Sequence, residues 1–202
     1  MKNFIEYYHD YLPNLDIYII EQEEGKKFNR GALLNVGFKI ASEIKNYKQY
    51  IFHDVDLLSP EELKKIYSYH SIYPIHIASL WTEKYDFSTF LGGIISFSKE
   101  SFEKINGFPN CFFGWGGEDD AMYNRLTESN IPVLKITSKE NISILGMAHP
   151  QSKEDKEEKR HNILTDLKLW KKEGLHTIEK CCNVNKIEML NFVNVIKITV
   201  EL

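Results

Sequence analysis

Tyr50-Ile51-Phe52-His53-Asp54-Val55-Asp56 sets a short apolar run ahead of two carboxylates. Such a run, bounded by polar residues, reads as a buried strand. The acids at its carboxyl end then fall where open α/β sheets place their ligands. Asp54 and Asp56 are two apart, so on an extended strand end their side chains leave the same face and can share one hard cation. Asp-x-Asp at a strand end also occurs in phosphatases, nucleases and plain turns, so this segment alone points to a fold class and a candidate metal position, and not to a reaction.

Reading outward, strands and helices alternate, which argues α/β. Upstream, residues 4–11 have helical spacing and 15–20 read as a buried strand. A helix is expected over 29–44, with Leu33, Leu34, Val36, Gly37 and Ile40 inward. Downstream, Ser59-Pro60-Glu61-Glu62 reads as a capping box with proline at the first helical position, predicting a helix to about residue 70. Residues 75–80, a Gly92-Gly93 turn and 94–97 read as strand, turn, strand. Helices over 99–105 and 118–129 and a strand over 133–136 follow. Residues 151–160 lack any apolar side chain and read as a solvated, mobile loop. A helix over 162–173 and a terminal strand over 194–200 complete the chain. At 202 residues the whole of 1–202 is expected to form one domain.

A second acidic cluster lies in Gly114-Trp115-Gly116-Gly117-Glu118-Asp119-Asp120. Carboxylates at the start of a helix are favoured by its dipole, a structural role compatible with chemistry. Beside a tryptophan and glycines they also suit a sugar pocket with a general base, since indole stacks on the apolar faces of sugar rings; Phe112, Phe113 and Trp81 are further aromatic candidates. Together the two clusters read as a metal site for phosphate groups and a sugar site with a base. The formal charge is −4, with Lys and Arg spread along the chain, which argues against a nucleic-acid surface. No run of about 18 apolar residues is present. The three cysteines show no disulfide framework, and a cytoplasmic location is the expectation.

Phe28-Asn29-Arg30-Gly31-Ala32-Leu33-Leu34-Asn35-Val36-Gly37-Phe38, His53-Asp54-Val55-Asp56, Leu91-Gly92-Gly93 and the run from Asn106 to Asp120 resemble the β-1,4-galactosyltransferase family, the inverting glycosyltransferase family 7. The resemblance covers about residues 15–174. It implies a GT-A fold, a nucleotide-diphospho-sugar transferase with a mixed central sheet flanked by helices. It also implies an inverting, metal-dependent enzyme that moves a hexose, galactose first, from a UDP-sugar to a hydroxyl of a glycan acceptor. By position, Asp56 and His149 would bind Mn²⁺. Phe28, Arg30, Asp54, Val55 and Trp115 would contact the donor. Asp119 would be the catalytic base, and Glu118, Asp120, Trp115 and Gly116 would meet the acceptor.

Two departures from the family pattern stand out. Members begin with a strand bearing a Pro-aromatic-Arg-Asn/Asp-Arg motif, whereas this chain opens on what reads as the following helix, so that strand is expected to be absent. The metal segment reads Met147-Ala148-His149, in which the soft thioether of Met147 is a poor Mn²⁺ ligand. The alternatives are transfer of GalNAc, GlcNAc or glucuronic acid, with Phe90 at a donor-selecting position, and a catalytically silent sugar-binding domain of the same fold. A third, a metal phosphohydrolase, gives the Trp115-Gly116-Gly117 segment no role.

Overall fold

A computed structural model describes residues 2–12, 15–80, 89–114, 116–137, 144–146, 156–190, 192 and 194–202. The elements run α1 (Lys2–Tyr11), β1 (Ile17–Gln22), α2 (Arg30–Ile44), β2 (Gln49–His53), β3 (Leu57–Leu58), α3 (Lys64–Tyr67), β4 (Ile75–His76), β5 (Ile94–Ser98), α4 (Lys99–Lys104), α5 (Glu118–Glu128), β6 (Leu134–Lys135), β7 (Leu145–Gly146), α6 (Lys156–Leu169), β8 (Asn183–Met189) and β9 (Val195–Glu201).

The expected α/β class with mixed pairing holds, but the strands fall into separate sheets. One has the order β2-β5-β4-β6, with β5 antiparallel to β2 and β4, and β4 parallel to β6. The second is β1-β9-β8, in which β1 and β9 are parallel and β8 and β9 form an antiparallel pair. β3 and β7 make a short antiparallel pair.

All five residues of β5 are buried, as expected of a strand covered on both faces. Its Phe97 packs with Phe52, Phe102 and Phe108, and Phe38 and Leu126 close this core from α2 and α5. Truncating any of these rings to alanine removes about 3–5 kcal/mol. Asn29 caps α2, its side-chain oxygen accepting from the Ala32 amide 3.0 Å away.

Buried Arg125 locks α5 to α6 and to the loop before it. Its Nε lies 3.0 Å from Asp166 Oδ2, its Nη1 donates to the carbonyls of Asn106 and Gly107, and its Nη2 donates to Asp166 and Glu173. Asn35 and Asn110 extend the tie to α2, Asn35 Nδ2 donating to Phe108 O and to Asn110 Oδ1. The loop leading to residue 114 is therefore fixed by buried side-chain bonds.

Several sequence expectations are corrected. Ser59 does not cap a helix: it is fully buried, and its hydroxyl bonds Tyr67 Oη at 2.6 Å. The following segment is one 3₁₀ turn and a four-residue helix that stops at Tyr67. Residues 77–80 form a 3₁₀ turn and leave β4 two residues long. In α2 the fully buried positions include Ala32, Asn35, Phe38 and Ala41, while Leu34, Gly37 and Ile40 are only half-buried. Residues 156–160, read as loop, are the first turns of α6, and β8 lies where no strand was expected. Residues 151–155 and Trp81 lie outside the described residues.

Candidate active site

β2 ends at His53, and the chain turns at once, the Leu57 amide donating to Asp54 O at 3.2 Å. Asp54-Val55-Asp56 is thus a turn and not an extended strand end. The expectation that both carboxylates leave one face to share a cation fails for that reason. Asp54 is instead held by Arg30, whose Nε donates to its Oδ1 at 2.6 Å.

His53 fixes this turn from behind. Its Nδ1 donates to Asp54 O at 2.8 Å, so in the neutral ring Nε2 is the acceptor, facing Tyr8 Oη at 2.8 Å and Tyr67 Oη at 3.0 Å. Burial lowers the His53 pKa to about 4, so the ring is neutral at pH 7. α1 and the Ser59 segment, through Tyr8 and Tyr67, therefore support the acidic turn.

The second acidic cluster opens α5. Gly117 caps this helix at φ 100°, a left-handed conformation that favours glycine. A Cβ there would also stand 2.8 Å from the Phe112 ring. Arg30 reaches across from the first turn of α2: its Nη1 is 3.1 Å from Asp119 Oδ1 and 3.6 Å from Glu118 Oε1. One guanidinium thus joins the two acidic clusters. These neighbours raise its pKa well above the ordinary arginine value, and its Nη2 is buried with no hydrogen-bond partner among the described residues.

Burial pushes the Asp119 pKa up to about 8, with the Glu118 charge adding to the rise and Arg30 opposing it. Glu118 is also raised, by burial first. Asp120 points elsewhere and pairs with Lys159 of α6 at 3.1 Å. The cluster therefore divides into two carboxylates that face Arg30 and one on the α6 side. A carboxylate of raised proton affinity beside an open cavity is what a general base near neutrality requires.

The sequence-derived candidates converge. Arg30, Asp54, Glu118 and Asp119 are in direct contact, and Phe28, Val55, Asp56, Gly116 and Asp120 line the same cavity. Phe28 and Val55 are 57% and 46% exposed, leaving apolar surface for a ligand. Trp115, Met147 and His149 lie outside the described residues. Phe112 is buried behind Gly117, while Phe113 is exposed. Lys159 and Gly92 were not assigned site roles from sequence. Lys159 sat in a run that reads as solvated, and Gly92 in a turn whose close approach to Asp119 has no local signal.

Among the described residues no group of three His, Cys, Asp or Glu side chains converges to hold a metal. Asp56 offers a hard carboxylate oxygen at the cavity wall, which suits Mn²⁺. The donor chemistry fits an ion that takes one or two protein ligands and fills its other positions with phosphate oxygens.

Comparison with known proteins agrees with this geometry. A model of the N-terminal region of glycosyl transferase group 7 matches residues 3–70, and one described as the N-terminal domain of galactosyltransferase matches residues 74–149. The chain belongs to the β-1,4-galactosyltransferase family, glycosyltransferase family 7. Human β-1,4-galactosyltransferase 4 is 42% identical over 129 residues, 60% of this chain and 37% of that protein. A β-1,4-N-acetylglucosaminyltransferase of Lymnaea stagnalis, named as acting on β-N-acetyl-D-glucosaminides, is 34% identical over 150 residues, 67% of this chain and 30% of that protein. The chain thus spans about a third of the length of the curated relatives it matches. The catalytic domain of Drosophila β-1,4-galactosyltransferase 7, solved with xylobiose, superposes with a TM-score of 0.84 at 26% identity, covering 99% of this chain and 87% of that one. A mutant of the same enzyme, solved with manganese, UDP-Gal and xylobiose, superposes at 0.80. The GT-A expectation is met by these galactosyltransferase neighbours. Among the described residues no helix is long and apolar enough to cross a membrane.

Proposed function

We propose that this family member is an inverting, Mn²⁺-dependent glycosyltransferase that moves a hexose, galactose in the first instance, from a UDP-sugar to a hydroxyl of a glycan acceptor. The observation that carries the reading is the Arg30 bridge, 2.6 Å from Asp54 and 3.1 Å from Asp119, at the wall of one cavity. Asp119 takes the proton of the acceptor hydroxyl as it attacks, a contribution of about 10²–10⁴ in rate. The base and the leaving diphosphate lie on opposite faces of the sugar, so an α-linked donor gives a β-linked product. Asp54 and Arg30 hold the donor sugar and its diphosphate, and the free Nη2 of Arg30 is a donor awaiting an acceptor oxygen. Asp56 and His149 are the side chains that would hold Mn²⁺, which when bound offsets the charge developing on the diphosphate.

A second reading, transfer of an N-acetylhexosamine, is supported by the naming of the Lymnaea relative. Phe90 lies at the cavity wall and packs edge-on against His76 at 5.3 Å, where its bulk bears on donor choice.

Calorimetric titration of UDP with and without Mn²⁺ tests the donor half of the proposal. Binding that requires Mn²⁺ and is lost in Asp56→Ala supports it. Glycan binding without Mn²⁺-dependent UDP binding identifies a catalytically silent sugar-binding domain.

A further inference from the structure

β1 and β2 each keep one hydrogen-bonding edge without a strand partner among the described residues: β1 pairs only with β9, and β2 only with β5. Both strands line the same cavity, of about 1420 Å³. That exceeds the roughly 300–1,000 Å³ of a small-ligand pocket. Its other two walls are helices. Phe4, Tyr8 and Leu12 of the α1 segment face it on one side, and Leu34, Gly37 and Phe38 of α2 on the other. The strand side chains sort the same way, Ile19 and Ile51 joining the core against α1, and Tyr18 and Tyr50 the core beside α2.

Two unpaired strand edges and two apolar helix faces are the surroundings of one missing central strand. A buried edge whose amides and carbonyls lack partners is costly, and a bare edge beside apolar surface invites pairing.

The direction of the vacant strand can also be read. Tyr47, just ahead of β2, donates to Asp16, just ahead of β1, and bonds Tyr18 Oη at 2.9 Å, so the amino ends of the two strands are neighbours. Their carboxyl ends both approach the start of α2, through Gln22 with the Asn29 amide and Asp54 with Arg30. β1 and β2 therefore run the same way. The Phe4 ring lies 5.1 Å from His53, so α1 begins at the carboxyl end of this pair and returns to the amino end of β1. A strand parallel to both that ended at α1 would complete a β-α-β unit, with α1 as its crossover. The Drosophila catalytic domain, matched over 87% of its length, has residues without a counterpart here.

We propose that this slot seats an extended strand of about six residues, apolar on both faces and joined to the amino end of α1, which bonds β1 and β2 together and merges the two sheets. Six residues match the length of β1 and span about 20 Å. The carboxyl end of the added strand emerges beside Arg30 and Asp54, so its last residues complete the wall of the cavity. The proposal concerns the fold and stands apart from the transferase reading.

The test adds a six-residue strand of valine and isoleucine, followed by a short Gly-Asn turn, to the amino end of the 202-residue chain. A control carries proline at the third and fifth positions, which removes the amides needed for pairing. Amide hydrogen exchange of residues 17–22 and 49–53 is measured together with the urea midpoint. The expected result is exchange slowed about tenfold or more in both segments and a higher midpoint, with neither change in the control. Unchanged exchange, protection of one segment only, or equal protection in the control overturns the proposal. None of these readouts depends on enzymatic activity.

Discussion

A Cβ built on Gly92 would stand 2.5 Å from Asp119 Oδ2 and 2.6 Å from the Phe90 ring. The proposed base and the aromatic at the cavity wall thus both pack against the one residue that has no side chain. Gly92→Ala must displace one of them, and misplacement of a reacting group by about 1 Å costs on the order of 10²-fold in rate. The expected outcome is a fall of about 10- to 100-fold in kcat with the chain still folded, checked by steady-state kinetics beside a thermal melt. Full activity would mean that Asp119 is not held where we describe it.

The raised Asp119 pKa makes stability depend on pH. Its folded value, about 8, lies above the model value of 3.8, so the folded chain binds the extra proton between those limits. This contribution to stability is complete below about pH 4 and is lost as pH rises through 8. In metal-free buffer the urea midpoint of the parent should therefore fall from pH 5 to pH 8 more steeply than that of Asp119→Asn. Arg30→Gln removes the opposing guanidinium, and its decline should shift to higher pH.

His53 and His76 act in the opposite direction. Burial holds both near pKa 4, below the ordinary 6.5, so unfolding takes up protons between those values. Stability is full above about pH 6.5 and falls as pH drops toward 4. His53→Gln should shrink the difference between midpoints measured at pH 7 and pH 4.5, with His76 accounting for part of what remains.

Arg125 and Asp166 are both fully buried, and removing one partner of such a pair costs about 3–5 kcal/mol. A domain of this size is stable by only about 5–15 kcal/mol. Asp166→Asn should lower the urea midpoint sharply and loosen the loop that Arg125 holds through the carbonyls of Asn106 and Gly107. Limited proteolysis near residue 107 reports the second effect.

The legible parts of the sequence were those with local causes. The apolar run of β2, the cap at Asn29 and the acids opening α5 could each be recognised within a few residues. Arg30 and Asp119 were chosen correctly as residues of one site, although 89 positions separate them, because their flanking motifs carry the family pattern. Tertiary contacts decided what was missed. Ser59 has the sequence context of a cap, yet its hydroxyl goes to Tyr67 and its amide to Tyr8. Lys156 to Arg160 has no apolar periodicity, but it is helical where Lys159 meets Asp120. β8 is mostly exposed and depends on β9 for its pairing, so its own residues carry little strand signal.

The most direct test of the central claim is sugar transfer from a panel of UDP-sugars to glycan acceptors in the presence of Mn²⁺, comparing the parent chain with Asp119→Asn. The account predicts turnover with one preferred donor, a β-linked product, and a loss of about 10²-fold or more in kcat in the variant. Turnover left intact by Asp119→Asn, or no transfer from any UDP-sugar by a chain that binds UDP with Mn²⁺, would contradict it.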